Sequence, residues 1–169
     1  MELLDIYNSN GKLTGKVIPR ETSLNEFGED EHIAVAIIYI QNNEGKFLIQ
    51  KTSIEKGGTY SSTGGHVTHN ETPIETIIRE TKEEIGLDIT NENIVDLGHI
   101  CVDFPVRFIF YLKKDIDIDS LVLDKNEVES IHYFNKEEIS SIIEQGNMNK
   151  GHIIVLKKVL EYCENNKKS

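Results

Sequence analysis

The chain has 169 residues, 38% hydrophobic and 28% charged, which fits one globular domain with its own core and argues against a disordered chain. Its formal charge of −11 argues against broad binding to polymeric nucleic acid or anionic membranes, where basic patches supply most of the affinity. A small phosphorylated ligand stays open, because a divalent cation on clustered carboxylates inverts the local field that a phosphate meets.

No apolar run reaches the length of a membrane span, and Met1 to Asp5 lacks the basic start of a secretory signal, so a cytoplasmic protein is expected. Cys101 and Cys163 match no metal or redox spacing and are expected as reduced thiols.

In chain order, Leu3 to Tyr7 reads as a short strand, Asn8 to Gly11 as a turn, and Leu13 to Ile18 as a second strand. Pro19 to Glu31 is an acidic connecting loop. His32 to Gln41 is an apolar, β-branched strand that Asn42 to Gly45 turns into a hairpin with Lys46 to Lys51. Thr52 to Thr63 is expected as a loop leading to the Gly64-Gly65 pair. A helix then starts at Pro73, capped by Thr72 with Glu75 completing a capping box, and ends near Gly86. Strands are expected at Ile94 to Val102, Val106 to Leu112 and Val128 to Phe134. A helix capped by Asn135 runs through Glu144, and a last amphipathic helix covers Gly151 to Glu164. This order does not alternate strictly, so it predicts a mixed α/β sandwich rather than a doubly wound parallel sheet.

The helix from Pro73 carries Ile74, Ile77, Ile78, Thr81 and Ile85 as one stripe and Glu80, Glu83 and Glu84 on a neighbouring face. Carboxylates held this close repel one another, so something must offset the repulsion. On the helix alone two readings stand: a solvated acidic face, or a site for a hard cation, which prefers carboxylate and carbonyl oxygens.

The flanking residues decide between them. Gly65, then Glu71, then Arg79-Glu80-Thr81-Lys82-Glu83-Glu84-Ile85-Gly86-Leu87 resembles the signature of the Nudix hydrolase family. Gly65, Glu71, Arg79, Glu80, Glu83, Glu84 and Gly86 match its fixed positions, a coincidence of about 10⁻⁸ per starting position at ordinary residue usage. Thr81 departs mildly, standing where the family carries a hydrophobic residue.

The resemblance implies a Nudix-type α/β/α sandwich with a mixed central sheet, as a single domain over 1–169. Its parts are N-terminal strands and loop at 1–31, the signature at 65–87 and a C-terminal helix at 151–165. It implies metal-dependent hydrolysis of a diphosphate bond in a nucleoside diphosphate derivative or similar small organic diphosphate. Mg²⁺ is the expected cofactor, with Mn²⁺ as an alternative. Glu80, Glu83 and Glu84 are the implied ligands, joined by the Gly65 carbonyl, and Arg79 is expected to orient Glu71 or Glu80 by a charge-assisted hydrogen bond. The general base is left between Glu83 and Glu127, and Glu127 is also a candidate ligand. Lys51, His66 and Arg107 are candidate substrate contacts. Tyr60, Phe104 and Phe108 are candidates for stacking on a base, with core packing the more ordinary use of both phenylalanines. A monomer and a homodimer both fit.

His32 to Val35, Gly65-His66 and Asn126 to Val128 also resemble segments of isopentenyl-diphosphate isomerase, a relative with the same fold. His32, His66 and Glu127 match residues of that enzyme's site. Its reactive cysteine, however, is Gly64 here, an earlier histidine falls on Asn25, and a paired glutamate falls on Lys125. Hydrolase is therefore the expected activity. His32 is expected in a hydrogen-bonded structural role rather than as a ligand. A non-catalytic nucleotide sensor is the reading from another class, and the intact glutamates weigh against it.

Overall fold

The computed structural model describes residues 1–167, so the last two residues of the domain expected over 1–169 lie outside the described residues. The first two strands, β1 (Leu3–Tyr7) and β2 (Leu13–Pro19), form an antiparallel pair. Asn8 closes their turn, its Oδ1 accepting from the backbone of Asn10 and Lys12 at 2.9 and 3.1 Å. The pair buries Leu4, Ile6 and Ile18 against Phe27 and Ile33, a small core of its own.

The main sheet contains β3 (Ala34–Gln41), β4 (Phe47–Thr52), β5 (Tyr60–Ser61), β6 (Thr63–His66), β7 (Val95–Cys101), β8 (Val106–Lys113) and β9 (Val128–Phe134). It is mixed. β3 runs parallel to β8, and β6, β7 and β9 lie antiparallel to their neighbours. The helices are α1 (Pro73–Ile85), α2 (Lys136–Glu144) and α3 (Lys150–Asn166).

Alternation along the central strands explains the layers. Ala36, Ile38 and Ile40 of β3 and Phe110 and Leu112 of β8 pack with Ile77 and Ile85 of α1 on one face. Ile37 and Tyr39 of β3 and Ile109 and Tyr111 of β8 pack with Ile139 of α2 and Val155, Leu156 and Val159 of α3 on the other. The result is a helix–sheet–helix sandwich. Val155, Leu156 and Val159 of α3 and Leu4, Ile6 and Ile18 of the first two strands are buried within the chain, whereas Leu3, Leu13 and Val17 stay exposed.

Four expectations need correction. The hairpin turn at Asn42–Gly45 forms, with Asn42 N–H donating to Lys46 O at 2.9 Å, but β3 and β4 share only the Gln41–Phe47 pair. Beyond it β6 takes the edge of β3, and β4 pairs with β9 and β5 instead. The end of the expected loop at 52–63 therefore holds β5 and the start of β6. His32 is not in the strand, because its backbone pairs with Tyr7 and ties β1 to the sheet. On α1 the buried set is Thr76, Ile77, Thr81, Glu84 and Ile85, and Ile74 is exposed. The buried Thr81 hydroxyl donates to Ile77 O at 2.6 Å, satisfying its polar atom inside the core.

Candidate active site

The local sequence fixes the register of α1. Thr72 Oγ1 accepts from Glu75 N–H at 3.3 Å, and the Glu75 carboxylate accepts from Thr72 N–H at 2.9 Å. Pro73 supplies the first turn, and Gly86, at φ +71°, ends the helix in the left-handed region where glycine is favoured. Between these stops α1 packs on β6 and β3, so its acidic face meets the Gly64-Gly65 backbone.

The expected repulsion between carboxylates is offset by Arg79. Its Nε and Nη2 donate to the two oxygens of Glu71 at 2.7 and 2.9 Å, and its Nη1 donates to Glu80 at 2.8 Å and Glu83 at 3.1 Å. Glu71 also accepts from the hydroxyls of Thr76 (2.6 Å) and Thr68 (3.0 Å). Burial alone would raise the Glu71 carboxyl, but the bonds from Arg79, Thr76 and Thr68 overcome it and hold it at about 2. The bonds to Glu71, against burial and with the added charge of Glu80, hold the Arg79 guanidinium protonated.

Glu84 lies in a different environment. It is 8% exposed, and burial pushes its carboxyl up, with the nearby Glu80 carboxyl adding to the rise and Gln50 opposing it. Its Oε1 accepts from Gln50 Nε2 at 2.8 Å, and Gln50 is itself held by Thr63 Oγ1 at 2.9 Å. Glu84 Oε2 is buried with no hydrogen-bond partner among the described residues. Beside it, a Cβ on Gly65 would fall 2.4 Å from Glu80 Cδ, so only glycine lets this carboxylate lie against the β6 backbone.

These groups line one cleft of about 510 Å³ that holds Gly65, His66, Arg79, Glu80, Glu83, Glu84, Glu127 and Arg107 together. Glu71 stands behind Arg79. Among the described residues no three Asp, Glu, His or Cys side chains converge into a ready-made coordination shell. Glu83 is turned onto Arg79, and Glu127 sits 3.4 Å from Lys56 Nζ. A larger hollow of about 770 Å³ lies at the other end of β3 and contains none of the α1 carboxylates.

Lys51 does not reach the cleft. Its Nζ lies 3.4 Å from Glu129 and 5.9 Å from the Tyr60 ring centre, because alternation on β4 turns it away from Gln50 and Glu84. The three aromatic candidates also stay outside the cleft lining. Tyr60 stacks edge-on with Phe134, Phe104 with Phe27, and Phe108 with Tyr7. His32 is held by Phe104 O at 2.7 Å and Asp30 at 3.1 Å, a structural role. Gln50, Arg20, Asp124 and His152 border this site without having been expected there. None belongs to a motif, and only tertiary pairing brings them in.

The acidic helix laid over a Gly-Gly strand within an α/β/α sandwich thus gathers carboxylates and guanidinium groups along one cleft. The NUDIX domain model matches residues 30–158. An uncharacterised Nudix hydrolase of Listeria monocytogenes is 30% identical over 86% of this chain and 87% of its own. The crystal structure of DR0079 from Deinococcus radiodurans shares the fold at a TM-score of 0.76 and 19% identity, over 92% of this chain and 98% of that one. An isopentenyl-diphosphate Δ-isomerase of Corynebacterium diphtheriae is 28% identical over 63% of this chain and 58% of its own. The chain belongs to the Nudix hydrolase family. No helix among the described residues is long and apolar enough to cross a membrane.

Proposed function

We propose that this protein uses a divalent cation, Mg²⁺ or Mn²⁺, to hydrolyse a diphosphate bond in a nucleoside diphosphate derivative or a similar small organic diphosphate. The observation that carries this reading is the orphaned Glu84 Oε2, buried beside Glu80 and Gly65. An acceptor buried without a donor is costly, and a hard cation takes that kind of oxygen. Glu84, Glu80 and the Gly65 carbonyl are the groups that would hold the ion. Glu83 joins them by leaving Arg79, an ion pair that is weak where the glutamate side chain is 58% exposed.

Bound there, a divalent cation supplies charge neutralisation at the diphosphate and acidifies water. The protein's own groups do the rest. Arg79, anchored on Glu71, holds Glu80 over Gly65. Glu83 is the first candidate to take the proton of the attacking water, and Glu127, on the cleft rim, is the second. His66 and Arg107 face the substrate.

The isomerase reading has a sequence match behind it but lacks its thiol. A Cβ at Gly64 would lie 2.6 Å from the Ala36 carbonyl oxygen, so this backbone has no room for the cysteine that chemistry uses.

The test is ³¹P NMR of the protein with Mg²⁺ and a panel of nucleoside diphosphates, nucleoside triphosphates, nucleoside diphosphate sugars and isopentenyl diphosphate. Mg²⁺-dependent release of cleavage products (a phosphomonoester, phosphate or pyrophosphate, according to the compound) is expected from at least one member of the panel. Tight binding with no release from any would replace the enzyme with a sensor, and rearrangement of isopentenyl diphosphate would replace hydrolysis with isomerisation.

A further inference from the structure

The cleft has a second, chemically opposite side, built where β8 meets the start of α3. Arg107, Val35 and His66 lie in register across β8, β3 and β6, so Arg107 and His66 stand two strand spacings apart on the face turned toward α3. Arg107 is only 8% exposed, yet among the described residues it forms no ion pair with a carboxylate. Among the described residues its guanidinium donates one hydrogen bond, from Nη1 to Val102 O at 2.8 Å, and Asp103 and Cys101 act on it only across space. A guanidinium this buried ordinarily has an anionic partner, and here it lines the cleft.

The start of α3 is shaped around that guanidinium. A Cβ on Gly151 would come 3.0 Å from Arg107 Nε and 3.3 Å from Nη2, so glycine lets the fork lie against the helix. The next residue, His152, also lines the cleft. Its Nδ1 accepts from the Ser62 backbone N–H at 3.2 Å and contacts Ser62 Oγ at 2.8 Å. An Nδ1 that accepts leaves the ring proton on Nε2, so His152 presents a neutral N–H donor. Burial, and then the charge of Arg107, lower the pKa of this imidazole and keep it in that form. The first N–H groups of α3 are not available as well, because Asn149 Oδ1 accepts from Gly151 and His152. The donors are therefore side chains, fixed from two elements and facing the same cleft as the α1 carboxylates.

We propose that Arg107 and His152 form an oxyanion subsite that takes a phosphate or carboxylate group of the substrate other than the diphosphate that is cut. The assignment to a substrate rests on the hydrolase reading; the anion site itself does not. The α1 carboxylates repel a second anion, so a substrate with one at its far end is drawn to lie across the cleft in a single direction.

The test uses ¹⁵N-labelled full-length protein freed of divalent cations on a chelating resin, so that α1 cannot hold an anion through a metal. Inorganic phosphate and, separately, acetate are titrated in while the Nε2–H of His152 and the Nε–H of Arg107 are followed. Saturable shifts at both groups are expected, and the anion that produces them identifies the group recognised. Arg107→Gln should weaken binding by about 10- to 100-fold, as for loss of a charged hydrogen-bond partner. Arg107→Lys should keep part of it, and Lys51→Gln should leave it unchanged.

No saturable shift with either anion in the unmodified protein would overturn the subsite, as would undiminished binding in folded Arg107→Gln. Among compounds that are hydrolysed, Arg107→Gln should raise KM only for those carrying an additional anionic group, and an equal rise for all would refute the assignment to substrate. Because the titration involves no metal and no turnover, its failure leaves the hydrolase reading standing, and loss of that reading leaves the titration interpretable.

Discussion

Replacing Glu71 with glutamine probes the clamp that organises the acidic helix. The amide keeps an oxygen for Thr76, Thr68 and Arg79 Nη2, which meet on one side of the carboxylate, but sets an NH₂ group against Arg79 Nε, which donates to the other oxygen at 2.7 Å. Holding the carboxyl at about 2 instead of its ordinary 4.5 corresponds to about 3 kcal/mol of stability at neutral pH. Arg79 is 32% exposed, and solvent screening brings the expected loss in Glu71→Gln to about 2–3 kcal/mol. The folded-state value is the depressed one. The contribution is therefore complete above pH 4.5 and is lost as the pH falls toward 2, with about half remaining at pH 3. Urea unfolding of both proteins in metal-free buffer, at pH 7 and again near pH 3, measures it. A difference below about 0.5 kcal/mol at pH 7, or one that does not shrink in acid, would refute the clamp.

Glu83→Gln should lower turnover by about 10²- to 10⁴-fold with an unchanged circular dichroism spectrum, and Glu127→Gln should lower it less. The reverse ranking would move the base to Glu127. Gly64→Ala should destabilise the fold by about 1–3 kcal/mol, seen as a lower thermal midpoint, because its Cβ meets backbone at 2.6 Å. An unchanged midpoint would remove the steric argument against the isomerase. His152 should titrate near pH 4 instead of 6.5 in long-range ¹H–¹⁵N spectra. Its folded-state value is also depressed, so folding stability should fall as the pH drops from about 6.5 toward 4, and an ordinary titration would show that the imidazole is not buried as described.

Much of this was legible in the chain because the signals were local. Thr72, Pro73, Glu75 and Gly86 mark both ends of α1 within a few residues, and the spacing from Gly65 to Gly86 places the carboxylates on one face. The apolar, β-branched run from His32 to Gln41 likewise marked a strand, which forms over Ala34–Gln41. What could not be read is which strands pair. The Asn42–Gly45 turn promises a full hairpin, yet one pair forms before β6, which also packs on α1, takes over. Thr63 to His66 has two glycines and no β-branched run beyond Thr63, and it is a strand only because β3 offers it hydrogen bonds. The same limit hid Gln50 and His152. Each contributes through a partner distant in sequence, Glu84 for one and Ser62 for the other. Lys51 failed for a simpler reason: the period of a strand sends neighbours to opposite faces, and Gln50 took the side of the cleft.

In the proposed reaction a divalent cation held at Glu80 and Glu84 drives cleavage of a diphosphate. The most direct measurement is the rate of product release from one hydrolysed compound, followed through its new phosphorus resonances, as Mg²⁺ is titrated into metal-free protein, compared between the unmodified chain and Glu80→Gln. No release without metal is expected, then a saturable rise with Mg²⁺, and a fall of at least about 100-fold in the variant at the same Mg²⁺ concentration. Release that proceeds equally well without divalent cations, or that Glu80→Gln leaves intact, would contradict this role for the metal.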